Sequence, residues 1–170
     1  IGFAYDGDGD RIIVLKSNGD IIWPDQLMIL FSRSILKNNK NAKIVYDIKC
    51  TKYLEEEIIK NNGIPVLSRT GHSFIKKAMI QEKALLGGEM SGHIFFADKW
   101  KGFDDGIYAS IRLLEILSSN ENYEEILNDL PVSVTTPEIN ILFSGNNHFT
   151  FMNLFAKLTK FDNASIIDID

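Results

Sequence analysis

Cysteine is nearly missing from this chain: Cys50 is the single thiol in 170 residues. That excludes an internal disulfide and fits a reducing cytoplasm. Long apolar runs are missing as well, so no stretch approaches the roughly 20 residues needed to span a bilayer. Basic residues are in deficit, 18 Lys and Arg against 23 Asp and Glu for a net charge of −5, which argues against nucleic acid as the main partner. There is no signal-peptide pattern, no internal repeat and no low-complexity tract. What remains, 45% hydrophobic and 24% charged, is the composition of an ordinary folded domain. The chain opens without Met at Ile1, inside a strand-like run, and closes in another at Ser165 to Asp170. Both ends therefore predict an internal piece of a longer protein.

The pattern along the chain alternates short apolar strands with amphipathic helices. Strands are expected at 2–5, 12–15, 44–46, 64–67, 84–87 and 94–97, the last paired antiparallel. Asn18-Gly19 marks a tight hairpin turn. Helices are expected from Pro24-Asp25 with Leu27, Leu30, Phe31 and Ile35 on one face, over 52–61, over 73–82, and after Asp104 or Asp105. The last of these carries Ile107, Ile111, Leu114 and Leu117, read as its core stripe. A short helix over 122–129 follows, ended by Pro131. Ser73 reads as a helix N-cap, and Trp23 and Trp100 as packing residues. The alternation predicts an α/β fold, a mixed and mainly parallel sheet flanked by helices. A linker at 135–138 would separate it from a further domain begun by 139–143, the segment 149–160 and a last strand.

Asp6-Gly7-Asp8-Gly9-Asp10-Arg11 is the most informative stretch. Three like charges in five residues repel, unless a hard divalent cation such as Mg²⁺ takes their oxygens as ligands. Gly7 and Gly9 let the backbone turn tightly enough to aim the acids inward. Arg11 adds a planar donor fork suited to a phosphate oxygen. A calcium loop of the EF-hand type fails, because its Gly position holds Arg11 and its Glu position holds Ser17. A solvated turn is the plain alternative.

In open α/β sheets ligands bind beyond the carboxyl ends of the strands. Asp47, Lys49, Thr70, Gly71, His72 and Glu89 all fall there. Gly88-Glu89-Met90-Ser91-Gly92-His93 places an acid, a hydroxyl and an imidazole between two strands, the groups that read sugar hydroxyls or move protons. Asp104-Asp105 reads as a helix start rather than a second metal site.

With these loops in view, the chain resembles the α-D-phosphohexomutase family, in particular its bacterial phosphomannomutase/phosphoglucomutase type. Asp6 to Arg11 is similar to that family's metal loop, Gly88 to His93 to its sugar loop, and Arg69-Thr70-Gly71-His72-Ser73 to a further substrate segment. Asp47 to Thr51 and Trp100 to Tyr108 resemble it too. The resemblance implies that residues 1–20 close a second domain carrying the metal loop, 21–132 form a third domain carrying the sugar loop, and 133–170 begin a fourth. It implies interconversion of hexose 1- and 6-phosphates through a phosphoserine and a hexose 1,6-bisphosphate. Asp6, Asp8 and Asp10 would hold Mg²⁺, and Arg11 would steady the serine phosphate. Glu89 and Ser91 would bind the sugar, with Thr70, Gly71 and His72 lining the pocket. His93 and Lys49, both also in the substrate set, would be the candidates for proton transfer. Mannose or glucose phosphates and the remaining domains are the implied partners. The phosphoserine segment and the fourth domain's phosphate loop are not in the chain, so turnover by these residues alone is not expected. Two alternatives stand: a phosphoglucosamine mutase, whose sugar loop typically has Gln at the place of Met90, and a non-catalytic sugar-phosphate or metal-binding module.

Overall fold

The computed structural model describes residues 1–119, 121–132, 142–145, 147–160, 162–163, 167 and 169. Two units divide the chain, Ile1–Ser133 and Val134–Asp170.

The first unit opens with strands β1 (Gly2–Tyr5), β2 (Ile12–Leu15) and β3 (Ile21–Ile22), an antiparallel sheet in the order β1-β2-β3. Its β2–β3 turn is the expected hairpin: Lys16 N–H donates to Asp20 C=O at 2.8 Å, and Asn18 Oδ1 accepts from Asp20 N–H at 3.0 Å. Gly19 supplies the positive φ of 90° that the turn requires.

Helix α1 (Pro24–Asn38) follows, with Pro at its first position. Then come β4 (Lys43–Asp47), α2 (Lys52–Lys60), β5 (Ile64–Ser68), α3 (His72–Glu82), β6 (Leu86–Gly88), β7 (Ile94–Phe96), α4 (Gly106–Ser118) and α5 (Tyr123–Asn128). The second sheet has the order β5-β4-β6-β7. β4 runs parallel to β5 and β6, and β7 runs antiparallel to β6. This is the mixed, mainly parallel sheet that the alternation predicts.

Strand periodicity sorts the core into two faces. Ile44, Tyr46, Ile94 and Phe96 pack with Leu27 and Phe31 of α1 and Leu113 of α4. Val45 and Phe95, one residue out of phase, pack with Ile75 and Met79 of α3. Ile12, Val14 and Ile22 of the small sheet join the first cluster, so the hairpin is tied to the body of the unit by buried apolar surface.

Three expectations need correction. Ile107 and Ile111 are each 56% exposed and Leu114 is 45% exposed; Ala109, Leu113 and Leu117 are the buried hydrophobic residues of α4. Both series have helical spacing, and the docked face is the one that closes over Phe96 and α1. Arg112 shares that buried side because Asp98 neutralises it through two bonds of 2.7 and 2.9 Å. Ser73 lies inside α3: the N-cap is Gly71 at φ 128°. Trp23 is half exposed and caps α1 by its backbone, its N–H donating to Gln26 Oε1 at 3.0 Å.

The second unit contains helix α6 (His148–Leu158), capped by Asn147, whose Oδ1 accepts from Thr150 N–H at 3.0 Å. The linker at 135–138, most of 139–143 and most of the last strand expected near the end lie outside the described residues. No helix among the described residues is long and apolar enough to cross a membrane.

Candidate active site

Because β5, β4 and β6 are parallel, their carboxyl ends finish at one edge of the sheet and deliver Ser68, Asp47 and Gly88 there together. Antiparallel β7 begins at that same edge, so the loop Glu89 to His93 is a tight reversal: Glu89 N–H donates to His93 C=O at 3.0 Å, and Gly92 N–H to Glu89 C=O at 3.1 Å. Glu89 is buried, 1% exposed. Its Oε1 accepts from Gly71 N–H at 2.6 Å, fastening the 69–73 segment to the loop. Burial pushes the Glu89 carboxyl above its ordinary value, partly opposed by that bond from Gly71.

Asp47 lies beneath the same loop, fully buried. Its Oδ1 accepts from Met90 N–H at 3.3 Å and from Cys50 Sγ at 3.0 Å. Asp47 is thus a strut between the Glu89–His93 loop and the turn that carries Lys49. Lys49 itself is exposed on that turn. Burial, and then the neighbouring Asp47, push the Cys50 thiol well up, so it is no thiolate nucleophile. Asp25 supports the same turn, its Oδ2 accepting from Thr51 N–H at 2.9 Å.

The acidic loop packs against this edge through backbone contacts. Ile12 N–H donates to Gly92 C=O at 3.2 Å, and Arg11 forms an antiparallel bridge with His93. Gly106 N–H, at the start of α4, donates to Gly9 C=O at 2.9 Å. Two loops far apart in sequence therefore share one site. A cleft of about 310 Å³ lies between them, lined by Tyr5, Asp6, Arg11 and Ser91 among others. A larger concavity of about 590 Å³, beside Arg33, Lys37 and Arg112, contains none of the candidate metal- or sugar-binding residues.

Within the acidic loop, Asp6 turns to Arg11. Its Oδ1 accepts from Arg11 N–H at 3.0 Å and its Oδ2 from Arg11 Nε at 2.6 Å. These bonds, the backbone one first, hold the Asp6 carboxyl down at about 2. Asp10 shifts the other way, upward, through partial burial and then the proximity of Asp104 and Asp8. Among the described residues no three acidic, His or Cys side chains converge on one coordination sphere. The donor chemistry nonetheless suits a hard cation, since the burial and then the carboxylate crowding that disfavour the Asp10 anion are offset by a divalent charge.

Sequence reasoning missed Asp104. It is not the cap of α4; Asp105 takes that place, its Oδ1 accepting from Tyr108 N–H at 2.8 Å. Asp104 instead points at the histidines, with Oδ2 at 2.9 Å from His93 Nδ1 and 3.5 Å from His72 Nδ1. The two imidazoles stack with centroids 5.3 Å apart. The available signal was the acidic pair itself: one helix start needs one cap, which leaves the other carboxylate for another task.

Comparison with known proteins agrees with this arrangement. The family model of phosphoglucomutase/phosphomannomutase, alpha/beta/alpha domain III, matches residues 23–134. A phosphoglucomutase from Neisseria meningitidis serogroup A is 48% identical over 172 residues, covering 100% of this chain and 37% of that protein. A phosphomannomutase/phosphoglucomutase from Pseudomonas syringae is 46% identical, again over 100% of this chain and 37% of its own length. The crystal structure of a phosphoglucomutase/phosphomannomutase family protein from Burkholderia thailandensis superposes with a TM-score of 0.92 at 42% identity, covering 99% of this chain and 36% of that one. The chain spans little more than a third of the length of these relatives. By its matched domain, its relatives and its fold, the chain belongs to the phosphoglucomutase/phosphomannomutase family of α-D-phosphohexomutases.

Proposed function

We propose that these residues form the metal- and sugar-binding part of a phosphomannomutase/phosphoglucomutase, an isomerase that interconverts hexose 1- and 6-phosphates. One observation carries the reading: Ile12 N–H to Gly92 C=O, with the Arg11–His93 bridge beside it, brings an acidic, arginine-closed loop against a loop rich in hydroxyl-reading groups. In this scheme residues 1–20 end one domain, 21–132 form the next and 133–170 begin another. The phosphorylated serine lies in the part of the longer protein not included here. The working location is the cytoplasm.

Asp6, Asp8 and Asp10 would hold Mg²⁺. When bound, the ion neutralises phosphate charge beside the acceptor sugar. Arg11 has a fork that can leave Asp6 for a phosphate oxygen. Glu89 and Ser91 orient the hexose through its hydroxyls, and Thr70, Gly71 and His72 line the pocket beside them, with Gly71 N–H bonded to Glu89. His93, or Lys49 from its exposed turn, accepts the proton of the attacking hydroxyl. Phosphoryl transfer asks for placement and charge balance more than for covalent help.

The test is a mutase assay on the longer protein carrying this chain, with Mg²⁺, a hexose 1,6-bisphosphate primer and mannose or glucose 1-phosphate. We expect 6-phosphate product, abolished by Asp8→Ala, and none from the 170 residues alone. Absence of turnover on both sugars by the longer protein would remove the proposal.

A further inference from the structure

We infer that Asp104 is a positioning residue for His93: its carboxylate holds the proton on Nδ1 and leaves Nε2 as the ring's one acceptor. The inference rests on the mutase reading only for the reaction it serves. Asp104 Oδ2 and His93 Nδ1 are both buried atoms without any aligned hydrogen-bonding partner, and they face each other at 2.9 Å. An orphaned buried polar atom is costly to keep. A small rotation of the ring that places the Nδ1 proton between the two satisfies both at once. A carboxylate on one imidazole nitrogen fixes the tautomer and ring orientation, and it steadies the cation formed when the other nitrogen takes a proton.

The surroundings show that Asp104 is held for this purpose rather than left at a surface. Asp104 bridges Phe95, and Asp105 N–H donates to Ile94 C=O at 3.2 Å, which stitches the segment to β7 just beyond His93. The loop is pinned at its other end by the paired Arg112 and Asp98. Trp100 Nε1 donates to Asp105 Oδ2 at 3.2 Å, and the Trp100 ring stacks on Tyr108 at 4.6 Å.

His72 competes for the same oxygen and loses. It stands at 3.5 Å with its side chain 63% exposed, against 2.9 Å and 18% for His93. In the reaction, the acceptor hydroxyl's oxygen bonds phosphorus as the bond from phosphorus to the donor serine oxygen breaks, that oxygen leaving with the electron pair, and the hydroxyl's proton moves to His93 Nε2. The resulting imidazolium stays paired with Asp104.

The experiment has two arms. In the first, ¹⁵N imidazole NMR on this chain, at a pH where the rings are neutral, reads the tautomer of His93. We expect Nδ1–H in the wild type and a move to the commoner Nε2–H form in Asp104→Ala. An Nε2–H ring in the wild type overturns the inference, and that spectrum needs neither a folded variant nor turnover. In the second arm, Asp104→Ala in the longer protein lowers kcat about 10- to 100-fold with KM for hexose phosphate little changed, and Asp104→Asn recovers part of the loss. A change confined to KM would overturn it. Should the longer protein lack mutase activity, the mutase reading falls while the NMR result still decides the role of Asp104.

Discussion

Gly106 N–H meets Gly9 C=O at 2.9 Å, joining the first residue of α4 to the acidic loop. The approach is so close that a Cβ on Gly106 would sit 2.7 Å from Arg11 O and 2.8 Å from Gly9 O. Both obstacles are backbone atoms, which cannot swing aside as a side-chain tip can. We predict that Gly106→Ala forces α4 off the loop. Stability should fall by about 1–3 kcal/mol, the usual cost of overpacking, and Mg²⁺ affinity should fall with it. Urea denaturation and calorimetric titration with Mg²⁺ measure the two effects. Unchanged values for both would show that this junction does not shape the acidic loop.

The faces of α4 make a second prediction. Leu113 is fully buried, whereas Ile111, two residues earlier, is 56% exposed. Leu113→Ala should cost about 2–5 kcal/mol through lost contacts and a cavity. Ile111→Ala should stay within about 0.5 kcal/mol. Equal losses in denaturant melts would restore the stripe read from sequence.

That contrast marks where the sequence was legible. Strand and helix alternation, the Asn18-Gly19 hairpin and the gathering of the candidate residues at the strand ends were all readable, because each depends on local periodicity, turn chemistry or a rule of parallel sheets. The buried face of α4 was not. The helix is apolar on Ile107, Ile111 and Leu114 as well as on Ala109, Leu113 and Leu117, so periodicity allowed two answers and tertiary packing chose. Asp104 was hidden for a related reason. Its partner His93 reaches it only because β7 and the following loop fold back along one another, a pairing no local pattern announces. Asp6 was legible as an acid beside an arginine, but its bond to Arg11 in place of an inward aim was not.

A pair outside the site allows a test of pH dependence. Arg33 on α1 donates to Glu57 of α2 at 2.6 Å and to Asp129 at 2.8 Å. The bond from Arg33 lowers the Glu57 carboxyl below its ordinary value near 4.5, against some burial. A depressed carboxylate stabilises the fold above the unfolded-state value, and this gain is lost as pH falls through the folded value. Glu57→Gln should therefore be less stable near neutral pH by about 1 kcal/mol. The gap should close once Glu57 is protonated. Urea melts from about pH 7 to about pH 3 would show it, and a constant gap would mean that the charge is not its source.

Glu89 should behave in the opposite sense, which makes it the sharper test of a functional site. Its carboxyl is raised by burial and by Asp47, with Gly71 N–H as its opposing partner. A raised carboxylate contributes stability below its unfolded-state value, and that contribution is lost as pH rises through the elevated folded value. The wild type thus bears the cost of a buried negative charge near neutral pH. Glu89→Gln keeps an oxygen for Gly71 N–H and removes that charge. We expect a gain of about 1 kcal/mol near pH 7, with variant and wild type converging at acid pH. The same change should weaken hexose-phosphate binding at least about 10-fold, because a charged acceptor for a sugar hydroxyl is replaced by a neutral one. Stability gained together with affinity lost is the signature of a residue kept for binding. A variant less stable than the wild type near neutral pH would show that the Glu89 carboxylate serves the fold instead.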